Sequence, residues 1–169
     1  MWQMGFCMFL ICMCFMVNIP MWCGKVAPKE TGVVNTVVGF IILSMALFNI
    51  FTNALGEITY WASAQICLFA FTYIFLGINN LVGNDSRGLG WYCLFVACIT
   101  PLLSFQSFSI GMVRFGFLWL IWGSLWFLFW PLLSLGKAEK WMGWFKWVSG
   151  VTVVVTLLIP SIMMLNGWW

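Results

Sequence analysis

At 169 residues, 64% hydrophobic and only 7% charged, the chain carries more apolar surface than a soluble domain of this size could bury, so composition excludes a soluble protein and requires an integral membrane one. The net charge of +3 comes from seven basic and four acidic side chains with no basic run, which excludes nucleic-acid binding. Histidine is absent and none of the seven cysteines forms a Cys-x-x-Cys pair, so zinc and Cys/His chemistry have no ligands, and no metal or cofactor is expected.

The eleven charges leave six intervals, at 3–22, 33–53, 59–81, 90–109, 113–135 and 146–166. Each is long enough for a bilayer helix of about 20 residues. They are apolar on every face, whereas barrel strands alternate over about ten residues. The expected fold class is therefore all-α, an integral membrane bundle of six transmembrane helices in a single domain over 1–169. Division into three and three would place any repeat in inverted orientation, and similarity between the halves is faint. The amino-terminal run has neither a preceding basic region nor a small-residue cleavage site, so a retained helix is expected rather than a signal peptide. Lys25, Lys29, Arg87, Lys137, Lys140 and Lys146 fall at the first, third and fifth connections, while the second and fourth hold only Arg114 among bases. Odd connections are then cytoplasmic and both termini lie outside.

In chain order, the first span sets Met4, Met8, Ile11, Phe15 and Asn18 at helical spacing, and Pro20 with KVAPKE (Lys25 to Glu30) ends it. The second carries Asn35, Gly39, Asn49, Thr52 and Asn53, small and amide residues suited to contact between helices. A turn around Glu57 leads to the third, where Phe69 and Tyr73 at i and i+4 share a face, either as core with a satisfied hydroxyl or as pore lining. Asn79 and Asn80 near its end are read as cap or bridge residues, and GNDSRG (Gly83 to Gly88) as a turn. The fourth span is interrupted by Pro101, and the fifth ends at Pro131. After the loop GKAEK (Gly136 to Lys140) the sixth contains Pro160 and runs to the interfacial anchor pair Trp168 and Trp169. The cysteines, all within spans or at their ends, are read as small packing residues.

The fifth span, FGFLWLIWGSLWFLFW, is the centre of the functional reading. Phe115, Trp119, Trp122, Trp126 and Trp130 fall within roughly 80° of arc. Tryptophan in membrane helices ordinarily sits at the ends, yet Trp122 and Trp126 bracket the middle. Filling space between helices is one explanation. A pathway is the other, and the rest of the inventory limits what could pass. No His, Asp, Glu, Lys or Arg lies in the membrane interior, which leaves an enzyme without a base or nucleophile and an ion-coupled pump without its usual buried charge. A passive route for a neutral planar solute, or a structural role, remains. Aromatic faces make a flat slot, indole and amide groups offer sparse hydrogen bonds, and an uncharged apolar constriction rejects ions.

Four segments, GKVAPKETGVVN (Gly24 to Asn35), LFAFTYIFLGINN (Leu68 to Asn80), WYCLFVA (Trp91 to Ala97) and LWLIWGSLW (Leu118 to Trp126), closely resemble the urea/amide channel family, the AmiS and UreI proteins, in the family's order and over nearly the whole chain. The resemblance implies a six-helix channel domain with both termini outside, in the bacterial cytoplasmic (inner) membrane, assembled as a homo-hexamer with one pore per protomer. Its solutes would be urea or short-chain aliphatic amides, and its functional partner a cytoplasmic urease or amidase. It places pore aromatics on Phe69, Tyr73, Trp119, Trp122 and Trp126, a constriction on Leu125, and a facing wall on Met4, Met8, Ile11 and Phe15. In the sixth span the family has a glutamate eight residues before a proline; Thr152 stands there, or Ser149 if a gap intervenes, and Thr156 matches a family threonine. The carboxylate is thus replaced by a neutral hydroxyl. Acid activation in the family relies on histidines and carboxylates in long external loops, and this chain has short ones and no histidine, so a channel open without acid is expected. A small Trp-rich membrane protein binding tetrapyrroles or sterols is the rival, but that type has five spans and Trp-Pro-rich loops.

Overall fold

Inside a bilayer every backbone N–H and C=O must find a partner within the protein, and a run of apolar residues meets that demand by coiling into a helix. The computed structural model describes residues 2–169, the side chains of Ala138 and Glu139 excepted. Its helices are α1 (Trp2–Trp22), α2 (Pro28–Thr52), α3 (Thr59–Val82, preceded by a 3₁₀ turn at Gly56–Ile58), α4 (Arg87–Ser109), α5 (Val113–Ser134), α6 (Ala138–Val153), a π-helical segment (Val154–Leu158) and α7 (Ile159–Leu165). No β-strand occurs among the described residues. Six stretches, with Lys140–Leu165 counted as one, are long and apolar enough to cross a membrane, so this is an all-α, multi-pass membrane protein.

Charge-free intervals mark where lipid begins, and helices run past that point. α2 starts five residues before its expected span because Pro28 occupies its first turn and the Glu30 carboxylate accepts the Ala27 N–H at 3.3 Å. α6 starts at Ala138, so Ala138–Lys140 of the expected loop are helical, and Lys140 and Lys146 ride on the helix itself. The prolines also do less than their positions suggest. α4 is continuous through Pro101: the ring removes the N–H that Ala97 C=O would receive, and the Thr100 hydroxyl donates to that oxygen instead at 2.9 Å. α1 and α5 likewise continue past Pro20 and Pro131 to Trp22 and Ser134.

Two compact units divide the chain. The first comprises Met1–Asn84 with Val153–Trp169. Within it α2 and α3 form a hairpin so close that a Cβ at Gly39 would fall 2.8 Å from the Ile74 nitrogen, while Gly77 meets Thr36. Small residues permit that approach, and the approach supplies the dispersion that holds helices together where lipid removes any hydrophobic drive. α1 is joined to α2 by a reciprocal amide pair: Asn18 Nδ2 donates to Asn35 Oδ1 at 3.0 Å, and Asn35 Nδ2 donates back at 2.7 Å. Asn80 of α3 donates to Thr31 Oγ1 of α2 at 3.0 Å, which makes Asn80 the bridge expected of it. Asn79 caps instead through its main-chain oxygen, which accepts from Gly83 and Asn84. α7 closes the unit against α1, where a Cβ on Gly5 would lie 2.7 Å from Met164 Cβ.

The second unit is Asp85–Thr152. Its hairpin of α4 and α5 repeats the small-residue device, with Gly123 seated on Thr100, and Ser104 Oγ donates to Gly116 O at 2.8 Å. Phe145 of α6 packs edge-on against Phe129 of α5 with ring centroids 4.7 Å apart.

Candidate functional site

The expected site residues lie in both units. In the first, α1 presents Met8, Ile11 and Phe15 buried, with Met4 half-buried at the start of the stripe. The i, i+3/i+4 spacing that placed them together is a property of any helix, and their burial shows that this face of α1 turns inward. Phe69 and Tyr73 of α3 are buried too. The structure brings Phe15 and Tyr73 together, edge to face, with centroids 6.5 Å apart and rings at 79°. Trp22 adds a second edge contact to Phe15 at 6.2 Å. Asn18, which shares the stripe's spacing, is taken up by its pair with Asn35.

In the second unit Trp119, Trp122, Leu125 and Trp126 are all buried on one face of α5. Trp119 and Trp122 stack at right angles, 5.3 Å between centroids and 85° between planes. Edge-to-face geometry sets the positive rim of one ring against the negative face of the next. Phe115 is buried as well, whereas Trp130 packs against Trp91 at 5.7 Å and Phe127 at 5.9 Å. Thr152 of α6 is half-buried, while Ser149, its alternative, is fully buried.

Fixed charge sits at the helix ends and in the turns between them, except for Lys146 midway along α6. Asp85 and Arg87 form an exposed ion pair at 2.7 Å in the turn before α4, and the hydrogen bond from the Arg87 side chain holds the Asp85 carboxyl below its ordinary pKa. Among the described residues no cluster of three or more His, Cys, Asp or Glu could hold a metal ion. Flat aromatic faces with few hydrogen-bonding groups and no charge can accept a small neutral planar molecule and give an ion nothing in return for its water. An open cavity of about 390 Å³, lined by Gln3, Ser44, Met45 and Phe48, occupies the surface groove between α1 and α2 and does not follow the aromatic stripe.

Sequence reasoning missed the amide chemistry of the first unit. Asn18 and Asn35 appeared only as members of a stripe and of a contact face, although polar side chains in a membrane span are costly and each implies a specific partner. Asn49 and Ser63 are fully buried as well, and the Nδ2 and Oδ1 of Asn49 and the Oγ of Ser63 have no hydrogen-bond partner.

Residues 3–168 match the model of the AmiS/UreI family of transporters. A Rhodococcus erythropolis protein named as a transporter, AmiS2, is 33% identical over 152 residues, covering 89% of this chain and 73% of its own. The acid-activated urea channel of Helicobacter pylori is 27% identical over 182 residues, covering 87% of this chain and 90% of its own. The crystal structure of the urea channel from the same organism superposes with a TM-score of 0.84 at 26% identity, covering 98% of this chain and 99% of that one.

Proposed function

The chain belongs to the AmiS/UreI family of transporters, whose members are channels and transporters rather than enzymes, and from that premise we propose that it is a passive channel for urea or short-chain aliphatic amides. The whole of 1–169 acts as one channel domain, with a pore in each protomer of a homo-hexamer. The observation that carries this reading is the buried row of Trp119, Trp122 and Trp126 on a helix whose membrane interior holds no ionisable side chain. A neutral planar solute stacks on such rings and trades part of its water for indole, hydroxyl and amide hydrogen bonds. Phe69 and Tyr73 complete the aromatic lining, Leu125 narrows it, Met4, Met8, Ile11 and Phe15 form an apolar wall, and Thr152 offers a neutral acceptor. Movement is down the gradient, without coupling to ions or protons, because the pathway holds no group to carry them.

The chain lies in the bacterial cytoplasmic membrane with both termini outside, as the placement of lysine and arginine supports. A cytoplasmic urease or amidase would consume the solute and keep the gradient inward. Gating by acid is not expected, since no histidine is present.

Stopped-flow light scattering on proteoliposomes under urea, acetamide and glycerol gradients tests the proposal. Urea or acetamide permeability well above protein-free vesicles is the expected result. Folded, assembled protein that conducts neither would overturn it.

A further inference from the structure

A glycine inside a helix loosens it, and in a membrane span it serves where another backbone or a ligand must come close. Gly5, Gly39, Gly77, Gly116 and Gly123 all fit that rule, since a Cβ on any of them would fall within 3 Å of a neighbouring helix. Gly143 of α6 does not. It is exposed, and a Cβ there would meet nothing within 4 Å.

The face of α6 beside Gly143 is chemically graded. At 100° per residue Lys140, Trp144, Trp147 and Val151 lie within about 60° of arc, and Gly143 adjoins Trp147 about 40° further round. All five are exposed, Trp147 by 80% and Val151 by 62%. Phe145 and Ser149 on the far side are buried, and Phe145 packs on Phe129 of α5, so the graded face turns away from the interior of its unit. At about 1.5 Å per residue, Trp144 lies about 6 Å, Trp147 about 10 Å and Val151 about 16 Å along the axis from Lys140. Lys137, whose C=O accepts the Trp141 N–H at 3.2 Å, stands one turn before Trp141 and adds a second exposed cation. Against these two lysines the segment from Lys137 to Lys140 has one acid, Glu139.

Cation, indole N–H and hydrocarbon thus follow one another down a single stripe. A phospholipid has the complementary order from its headgroup inward: phosphodiester, ester carbonyls, acyl chains. The bare backbone at Gly143 leaves a notch where the glycerol portion can approach the helix between Lys140 and Trp147. Two lysines select an anionic headgroup, because a choline head brings its own cation against them.

We propose that this face of α6 is a binding site for one anionic glycerophospholipid. Lys137 and Lys140 hold the phosphodiester, the glycerol portion sits on Gly143 beside the indole N–H groups of Trp144 and Trp147, and an acyl chain lies along Val151. The site does not depend on the solute pathway.

The test is native mass spectrometry of the assembled protein taken from bilayers of equal phosphatidylglycerol and phosphatidylcholine, with thermal unfolding measured in each lipid. Wild type should retain phosphatidylglycerol over phosphatidylcholine about tenfold and unfold at a higher temperature in it. Lys140→Gln should reduce that preference about fivefold. Gly143→Leu fills the notch with a better helix former, so it should lower retention severalfold while unfolding in phosphatidylcholine at the same or a higher temperature. Lys146→Gln removes an equal charge about 120° away from Lys140, from a half-buried position, and should bind like wild type. Equal retention of the two lipids by wild type would overturn the site. So would equal losses in Lys140→Gln and Lys146→Gln, the mark of a diffuse field, or wild-type binding by Gly143→Leu. Loss of assembly in both Lys140→Gln and Gly143→Leu would assign the face to contact between copies of the chain and overturn it as well.

Discussion

The two units solve the interior of a membrane protein with different chemistry. All eight asparagines of the chain fall in the first unit and none in the second, whereas eight of the thirteen tryptophans fall in the second. The hairpins α2–α3 and α4–α5 are otherwise built alike, each by a glycine seated on a threonine of the neighbouring helix. The backbone device is shared, and what is mounted on it differs. Hydrogen bonds are directional, so the first unit holds its helices in a fixed register through Asn18, Asn35 and Asn80. Aromatic contact is broad, so the second holds its interior by area and by the edge-to-face pair of Trp119 and Trp122. A planar amide has both kinds of surface, a flat face and a hydrogen-bonding rim.

If area is what holds the second unit, Trp119→Ala should show the largest loss, about 3–5 kcal/mol from the cavity it leaves, read by thermal or detergent-induced unfolding. A loss under about 1 kcal/mol would show that the ring is not packed as described. If directed bonds hold the first, Asn35→Leu should cost about 1–3 kcal/mol, because it strands the buried amide of Asn18. The double substitution Asn18→Leu with Asn35→Leu should then recover much of that loss, and its failure to do so would deny the pair its role.

Smaller in energy, and more telling for function, is Trp126→Ala. The expected outcome is a severalfold change in flux, or in the ratio of urea to acetamide, in protein that still assembles; wild-type transport would return Trp126 to packing. The smallest effect should be that of pH. Between pH 7.5 and pH 5 flux in liposomes should stay constant, since no histidine titrates there. Asp85, whose pKa is lowered from 3.8 by its bond to Arg87, stays ionised over that range. A lowered carboxylate pKa contributes stability that is present above the unfolded value and is lost only as pH falls through the folded one. A severalfold rise in flux on acidification would contradict the absence of gating.

Much of the fold was legible because lipid is an exacting solvent. Eleven charges in 169 residues could only stand at the ends of spans, and six helices followed. Helix ends were less legible, since hydropathy reports the edge of the hydrocarbon while capping and proline chemistry decide where a helix starts; Pro28 and Ala138 both lie beyond that edge. Pro101 misled for a related reason. The repair by Thr100 is one residue away in sequence, but nothing in the residue types says that the hydroxyl will turn to Ala97. At the candidate site, spacing showed only which residues share a face of α1, α3 and α5, the family resemblance chose those faces, and burial of Met8, Phe69 and Trp122 shows that they turn inward. Which amides would pair was hidden, because Asn18 with Asn35 is a relation between helices, and periodicity within one helix carries no information about another.

The seat of Gly5 against Met164 has a consequence for how the protein is made. The hairpins α2–α3 and α4–α5 join neighbours in the chain, so each can form as soon as its second helix is synthesised. α1 precedes the other described helices in the chain, and it finds α7 only after α2 to α6 have been synthesised. Until then its Gly5 face waits in the bilayer, and the side of α1 that packs on Met164 is covered only when α7 arrives.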